Sequence, residues 1–149
     1  MENIKTVITA IFDEIAKTEA FILRPATDDE IKKCNSDLND IGCIAIPEEY
    51  AELLKISNGF SWNGFEFFGT YQVREKSSGY ILNDIVSVNE SESFDENILI
   101  LATGDEDYYV YDAVNKKYRC FDRLIKCDIV DFESFVDMIK ETVGKRAFD

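Results

Sequence analysis

The stretch Gly42-Cys43-Ile44-Ala45-Ile46-Pro47-Glu48-Glu49-Tyr50-Ala51-Glu52-Leu53-Leu54-Lys55-Ile56-Ser57-Asn58-Gly59-Phe60 contains one helix together with its start and its stop. Pro47 presets the backbone for a first helical position and has no N–H to leave unpaired. Glu48 and Glu49 follow at the positive end of the helix dipole. Tyr50, Leu53 and Leu54 share an inward face, and Asn58-Gly59 offers the left-handed exit that ends such a helix. Beyond it the period changes. Phe60, Trp62, Phe65, Phe67, Phe68, Tyr71 and Val73 crowd an aromatic segment broken by Asn63-Gly64, a strong two-residue hairpin signal.

On the N-terminal side, Ile4, Val7, Ile8, Ile11, Phe12 and Ile15 form the stripe of an amphipathic helix. Phe21 to Ala26 reads as extended chain, with Pro25 against continued helix. Thr27-Asp28-Asp29-Glu30 has the form of a capping box. It opens a second helix carrying Ile31, Cys34, Leu38 and Ile41 and closed by Gly42. On the C-terminal side, Ile81 to Val88 reads as a strand or a turn and strand, and Ile98 to Ala102 as a buried strand. Tyr108 to Asp112 and Tyr118 to Asp122 read as a hairpin joined near Asn115. A last helix is expected to open near Asp131, to carry Phe132, Phe135, Val136, Ile139 and Val143, and to stop at Gly144. Helices, then strands, then a helix predict one α+β domain over residues 1–149, with N-terminal helices and a C-terminal helix packed on a largely antiparallel sheet.

The chain of 149 residues has a formal net charge of −14, from 16 basic and 30 acidic residues, and no histidine. The absence of His excludes the Ser and Cys triads that use it as base, the HExxH metalloproteases and every His-containing zinc site. Neither GxxxxGK nor GxGxxG occurs. The acidic surface repels phosphate backbones and anionic headgroups, so neither nucleic acid nor membrane is an expected partner. Between Lys76 and Lys116 there is no basic residue, yet nine acids occur, from Asp84 to Asp112. Such a stretch projects a negative field, which serves solubility alone or steers a basic partner to a docking surface. Cys34, Cys43, Cys120 and Cys127 lack metal-site or CxxC spacing and read as reduced thiols. With no signal-peptide pattern at the N-terminus, a cytoplasmic location is expected.

The Ile46-Pro47-Glu48-Glu49-Tyr50 loop, the Leu53-Leu54 helix and the Asn58-Gly59 exit resemble the signature of the SUKH superfamily. Phe65-Glu66-Phe67-Phe68-Gly69, Ile85-Val86-Ser87-Val88-Asn89-Glu90 and Phe132-Glu133-Ser134-Phe135 resemble its later motifs in order and spacing. The likeness covers roughly residues 25 to 140. One departure is Thr103-Gly104-Asp105-Glu106-Asp107, mostly acidic where relatives often carry a Gly-rich turn. The superfamily includes the yeast cell-wall-assembly (glucan-synthesis) regulator and many bacterial immunity proteins. The resemblance therefore implies an α+β fold and binding of a protein, not catalysis: an immunity protein against a toxin, nuclease-type or other, or an intracellular regulatory scaffold.

Candidate binding residues follow from this and from the charge. Asp105, Glu106, Asp107 and Asp112 carry the field. Tyr109 and Tyr111 lie among them on a strand where at least one tyrosine is expected to face solvent, and Trp62 sits beside a hairpin tip where an aromatic makes a good anchor. Asp105 and Asp107 form an oxygen pair of the kind Mg²⁺ or Ca²⁺ takes, but the third ligand and the glycine of a calcium loop are missing. An acidic turn is the simpler reading, and neither metal nor cofactor is expected.

Overall fold

The computed structural model describes residues 3–92, 94–125 and 128–149. Helix α1 (Ile4–Ile15) is capped by Asn3 and buries Ile8, Ile11, Phe12 and Ile15. A short strand β1 (Phe21–Ile22) leads to α2 (Asp28–Asp40), where the capping box is complete: Thr27 Oγ1 accepts from the Glu30 N–H and Glu30 Oε1 from the Thr27 N–H. Helix α3 (Glu48–Leu54) begins directly after Pro47, which holds the capping position, so the helix starts one residue later than the sequence suggests.

Strands β2 (Phe60–Trp62) and β3 (Phe65–Phe67) form the aromatic hairpin; Asn63 and Gly64 both have positive φ, as its two-residue turn requires. A small hairpin, β4 (Val73–Arg74) and β5 (Ile81–Leu82), stands apart from the main sheet. Then come α4 (Ile85–Ser91), β6 (Ile98–Thr103), β7 (Asp107–Asp112), β8 (Lys117–Asp122) and β9 (Asp128–Phe132). The chain ends in α5 (Phe135–Ile139), a π-helical turn over Lys140–Gly144 and α6 (Lys145–Ala147). The main sheet is antiparallel throughout, in the order β1-β2-β3-β6-β7-β8-β9. The fold class is α+β, as the order of elements predicts.

Two readings of the sequence are corrected. Ile81 to Val88 is not one strand, since only Ile81–Leu82 is extended and Ile85 begins a helix. Asp84 decides this by accepting from the Ser87 N–H at 3.1 Å, an N-cap that apolar periodicity does not reveal. The last helix likewise opens at Phe135, not near Asp131. Ser134 caps it, and Asp128–Phe132 is an edge strand on β8. Nor does Gly144 stop it: φ is −59° there, the chain continues helical, and Ile11 of α1 lies against the glycine.

The core lies where α1, α3 and α5 meet the sheet. Phe60 stacks on Phe67 at 4.7 Å, Phe12 meets Phe60 edge-on, and Phe135 touches Tyr50, Phe67 and Tyr118. Tyr50 is fully buried, and its hydroxyl donates to the Phe68 carbonyl at 2.6 Å. The Asn58-Gly59 exit is tied to Gly69. Asn58 Oδ1 accepts from the Thr70 N–H, and a Cβ on Gly69 would sit 2.1 Å from the Asn58 carbonyl oxygen. These motifs hold backbones together; they are not an exposed site. Among the described residues no helix is long and apolar enough to cross a membrane.

Candidate functional site

Alternation of strand direction puts the β2–β3 turn, the β6–β7 turn and the β8–β9 loop at one end of the sheet. Asp105 and Glu106 are exposed on the β6–β7 turn, and Asp107 is half-buried. The turn is closed by the Gly104 N–H donating to the Asp107 carbonyl at 2.9 Å. Asp105 lies so close to the neighbouring hairpin that a Cβ on Gly64 would sit 2.3 Å from its Oδ1. Arg146 of α6 reaches the same end, donating to the Asn63 carbonyl at 3.1 Å with its guanidinium 4.6 Å from the centre of the Phe65 ring.

Beside this turn the β8–β9 loop is shaped by Asp122, whose Oδ1 accepts from the N–H groups of Leu124 and Ile125 at 2.8 and 3.0 Å. Both side chains project into solvent, at 92% and 69% exposure. The Arg123 N–H donates to the Glu106 carbonyl at 2.9 Å and its guanidinium lies 5.3 Å from the centre of the Tyr108 ring, so Arg123 ties the loop to the acidic turn. Asp105, Glu106, Asp122, Leu124 and Glu92 border one cavity of about 480 Å³. Leu124 and Ile125 escape sequence reasoning because two apolar residues between strands look like core. The one local sign is the aspartate two residues ahead, placed to hold a tight turn.

The other residues predicted for the site fall elsewhere. Tyr109 is buried, its ring against Phe65 and its hydroxyl under Gly104, so it offers no surface to a partner. Burial, then Cys120 and Asp107, push its phenol well above the usual range. Asp112 is 4% exposed, and its carboxylate is occupied: it accepts from the Val114 and Asn115 N–H groups, the Asn115 side chain and Arg119. Burial pushes its pKa up, but these hydrogen bonds outweigh it and hold the group below the usual carboxylate range. It is a turn-organising residue at the opposite end of β7. Trp62 is half-buried against the core, with Nε1 donating to Thr18 Oγ1 at 2.8 Å. It borders a cavity of about 580 Å³ shared with Phe21 and Tyr80. There Tyr80 donates to the Glu66 carboxylate; burial first, then Glu66, push its phenol up to about 12.

Tyr111 is half-buried at the far end, beside Tyr118, with ring centroids 5.0 Å apart. With Pro47, Glu48, Glu49 and Lys116 they line a groove of about 310 Å³. The Tyr118 hydroxyl is buried, and burial first, then the neighbouring Glu49 carboxylate, push its phenol well above the usual range. Among the described residues no group of three or more Asp, Glu or Cys side chains converges as metal ligands do. Cys34 and Cys43 are free thiols; Cys127 lies outside the described residues.

No curated protein matches the chain. The model of the SMI1 / KNR4 family (SUKH-1) matches residues 25–141, a span that includes the Pro47 helix, the Asn58–Gly69 junction and the Asn89 helix. On that match over most of its length, the chain belongs to the SMI1 / KNR4 family (SUKH-1).

Proposed function

We propose that this protein is a non-enzymatic binding domain that neutralises a basic partner, an immunity protein whose acidic sheet end covers a toxin domain. The observation that carries this reading is the union of Asp105, Glu106 and Asp122 around the exposed Leu124 and Ile125. Charge at a rim accelerates encounter, and apolar side chains at the centre of a contact slow dissociation. Arg123, on this loop, is turned onto Tyr108 and the backbone of the acidic turn and away from the exposed carboxylates of Asp105 and Glu106. Family membership supports binding over chemistry, since bacterial relatives include immunity proteins. Asp107 flanks the surface and Tyr109 supports it from within, whereas Trp62 borders a separate cavity and Asp112 lies at the opposite end of β7.

The test begins with capture of partners by the purified protein from lysate and from neighbouring gene products at low and moderate salt. A single basic protein, released as salt rises, is expected. Asp105→Asn with Glu106→Gln should then slow its association about tenfold at low salt, and Leu124→Ser with Ile125→Ser should speed its dissociation. Unchanged rates in both variants would remove the surface from the interface. Several partners held independently of salt would favour the regulatory-scaffold reading instead.

A further inference from the structure

Two Asn-Gly sequences occur in the chain, Asn58-Gly59 and Asn63-Gly64, and the fold treats them in opposite ways. In such a pair the backbone nitrogen of the glycine can attack the asparagine Cγ, because the glycine carries no Cβ to obstruct the approach. At the first pair both reacting groups are held. Asn58 is buried, its Oδ1 accepts from the Thr70 N–H and its Nδ2 donates to Thr70 Oγ1, each at 2.8 Å. The Gly59 N–H donates to the Ser57 carbonyl at 2.7 Å. At the second pair, in the β2–β3 turn, both residues are exposed, and the Asn63 carboxamide enters no hydrogen bond among the described residues. The backbone of this turn has one notable partner. Arg146 donates to the Asn63 carbonyl at 3.1 Å, with its guanidinium 4.6 Å from the centre of the Phe65 ring. That carbonyl and the Gly64 nitrogen belong to one peptide bond. When the Gly64 N–H loses its proton the negative charge spreads onto this oxygen, so a guanidinium that donates to it stabilises the nucleophilic form. Asp105 faces Gly64 from the neighbouring turn and opposes that charge, but Arg146 is the group hydrogen-bonded to the atom that takes it.

We infer that Asn63 is a site of spontaneous deamidation, with Arg146 activating the Gly64 amide. The Gly64 nitrogen gives its proton to solvent and bonds to Asn63 Cγ; the side-chain nitrogen leaves as ammonia, and a cyclic imide remains. Water then opens the ring. Cleavage between Cγ and the Gly64 nitrogen leaves aspartate, whereas cleavage between the backbone carbonyl carbon and that nitrogen leaves isoaspartate, with the main chain running through the side-chain carbons. The sum consumes water and releases ammonia, with no change of oxidation state. Either product places a new carboxylate at the end of the sheet that carries Asp105 and Glu106. The isoaspartyl product also lengthens the backbone of a two-residue turn that sets the pairing of Trp62 with Phe65. The modification concerns the chain alone and does not rest on the acidic-tip reading.

The test is timed incubation of the purified protein in mildly alkaline buffer, followed by tryptic mapping with electron-transfer fragmentation, which separates aspartyl from isoaspartyl residues. Cleavage after Lys55 and Arg74 leaves both Asn-Gly pairs in one peptide, so Asn58 is the internal reference for Asn63. In the folded protein, conversion at Asn63 is expected to outrun conversion at Asn58 by about tenfold or more. In the urea-unfolded chain the two should react alike. Arg146→Gln, an exposed change, should slow conversion at Asn63 about fivefold with the melting temperature unchanged. Arg146→Lys, which keeps the charge, should retain part of the effect. Equal rates at Asn58 and Asn63 in the folded protein would overturn the site. So would the absence of product at Asn63 over a period in which the unfolded chain converts completely. An undiminished rate in Arg146→Gln would overturn the activation.

Discussion

The side-chain amide of Asn89 takes both backbone groups of Ile100. Its Nδ2 donates to the Ile100 carbonyl at 2.9 Å, and its Oδ1 accepts from the Ile100 N–H at 2.8 Å. Strand β3 pairs with β6 only as far as Phe67 opposite Ala102, so the Asn89 carboxamide extends the ladder where the neighbouring strand has run out. Asn89 also donates to the Ile85 carbonyl at 2.8 Å, which fastens α4 to the sheet. This explains why the fourth position after Ile85 is a carboxamide: Asn supplies two N–H donors and a separate acceptor oxygen on a short stem, and all three are used.

Asn89→Ala should therefore destabilise the protein by about 2–4 kcal/mol, since it strands a buried donor and acceptor together. Asn89→Asp should be no better, because a carboxylate repels the Ile100 carbonyl it must face. Chemical denaturation reads both; a change below about 0.5 kcal/mol would show that the bonds are dispensable.

Gly69→Ala should be severe, with a cost of about 3 kcal/mol or more. Its Cβ would fall 2.1 Å from the Asn58 carbonyl and 2.6 Å from Asn58 Oδ1, and the backbone atom has little room to retreat. Gly42 has open space around it and φ of +80°, so Gly42→Ala should lose only about 1 kcal/mol, from the left-handed backbone alone. Equal melting temperatures for the two variants would refute the close approach.

Asp112 and Asp105 belong to one acidic stretch but should differ in what they contribute to stability. Asp112→Ala should destabilise by about 2–4 kcal/mol, because it removes the acceptor of four hydrogen bonds and leaves Arg119 with less counter-charge. Asp105→Asn should leave thermal stability within about 0.5 kcal/mol of the parent. A thermal melt of each variant decides the matter.

Acid should weaken the start of α2. The Arg24 side chain, then the Thr27 N–H, hold the Glu30 carboxylate down to about 2, below its usual 4.5. A depressed folded pKa means that this group's contribution is present above its unfolded value and is lost as pH falls from about 4.5 toward 2. The pair is exposed, so solvent screening keeps that contribution small. The stability gap between the parent and Glu30→Gln should narrow across that window. A gap that stays constant from neutral pH to pH about 2 would contradict the linkage.

Thiol chemistry offers a check on burial. Burial, reinforced by Asp84 and Asp37, pushes Cys34 up to about 12, whereas Cys43 is half-buried and raised by burial alone. Iodoacetamide should modify Cys43 well before Cys34 in the folded protein, and peptide mapping by mass spectrometry reads the order. The reverse order would place Cys34 at the surface.

The sequence by itself determined the elements whose signals are local. The stripe of α1, the Thr27–Glu30 capping box, the exit at Gly59, the Asn63-Gly64 hairpin and the β7–β8 pair all stand where their side chains predict, because each rests on contacts within a few residues. Tertiary structure decided the rest. Whether Ile85 to Val88 coils and Asp128 to Phe132 extends depended on Asp84 and Ser134 as caps and on β8 as a partner strand. The acidic stretch was legible as charge, but one continuous run was divided by the sheet. Strand alternation sent Asp105 and Glu106 to one end and Asp112 to the other. Pairing with β8 then carried Leu124 and Ile125 to the side of the first two. Sequence distance does not record which turns share an end of an antiparallel sheet; strand direction and register do.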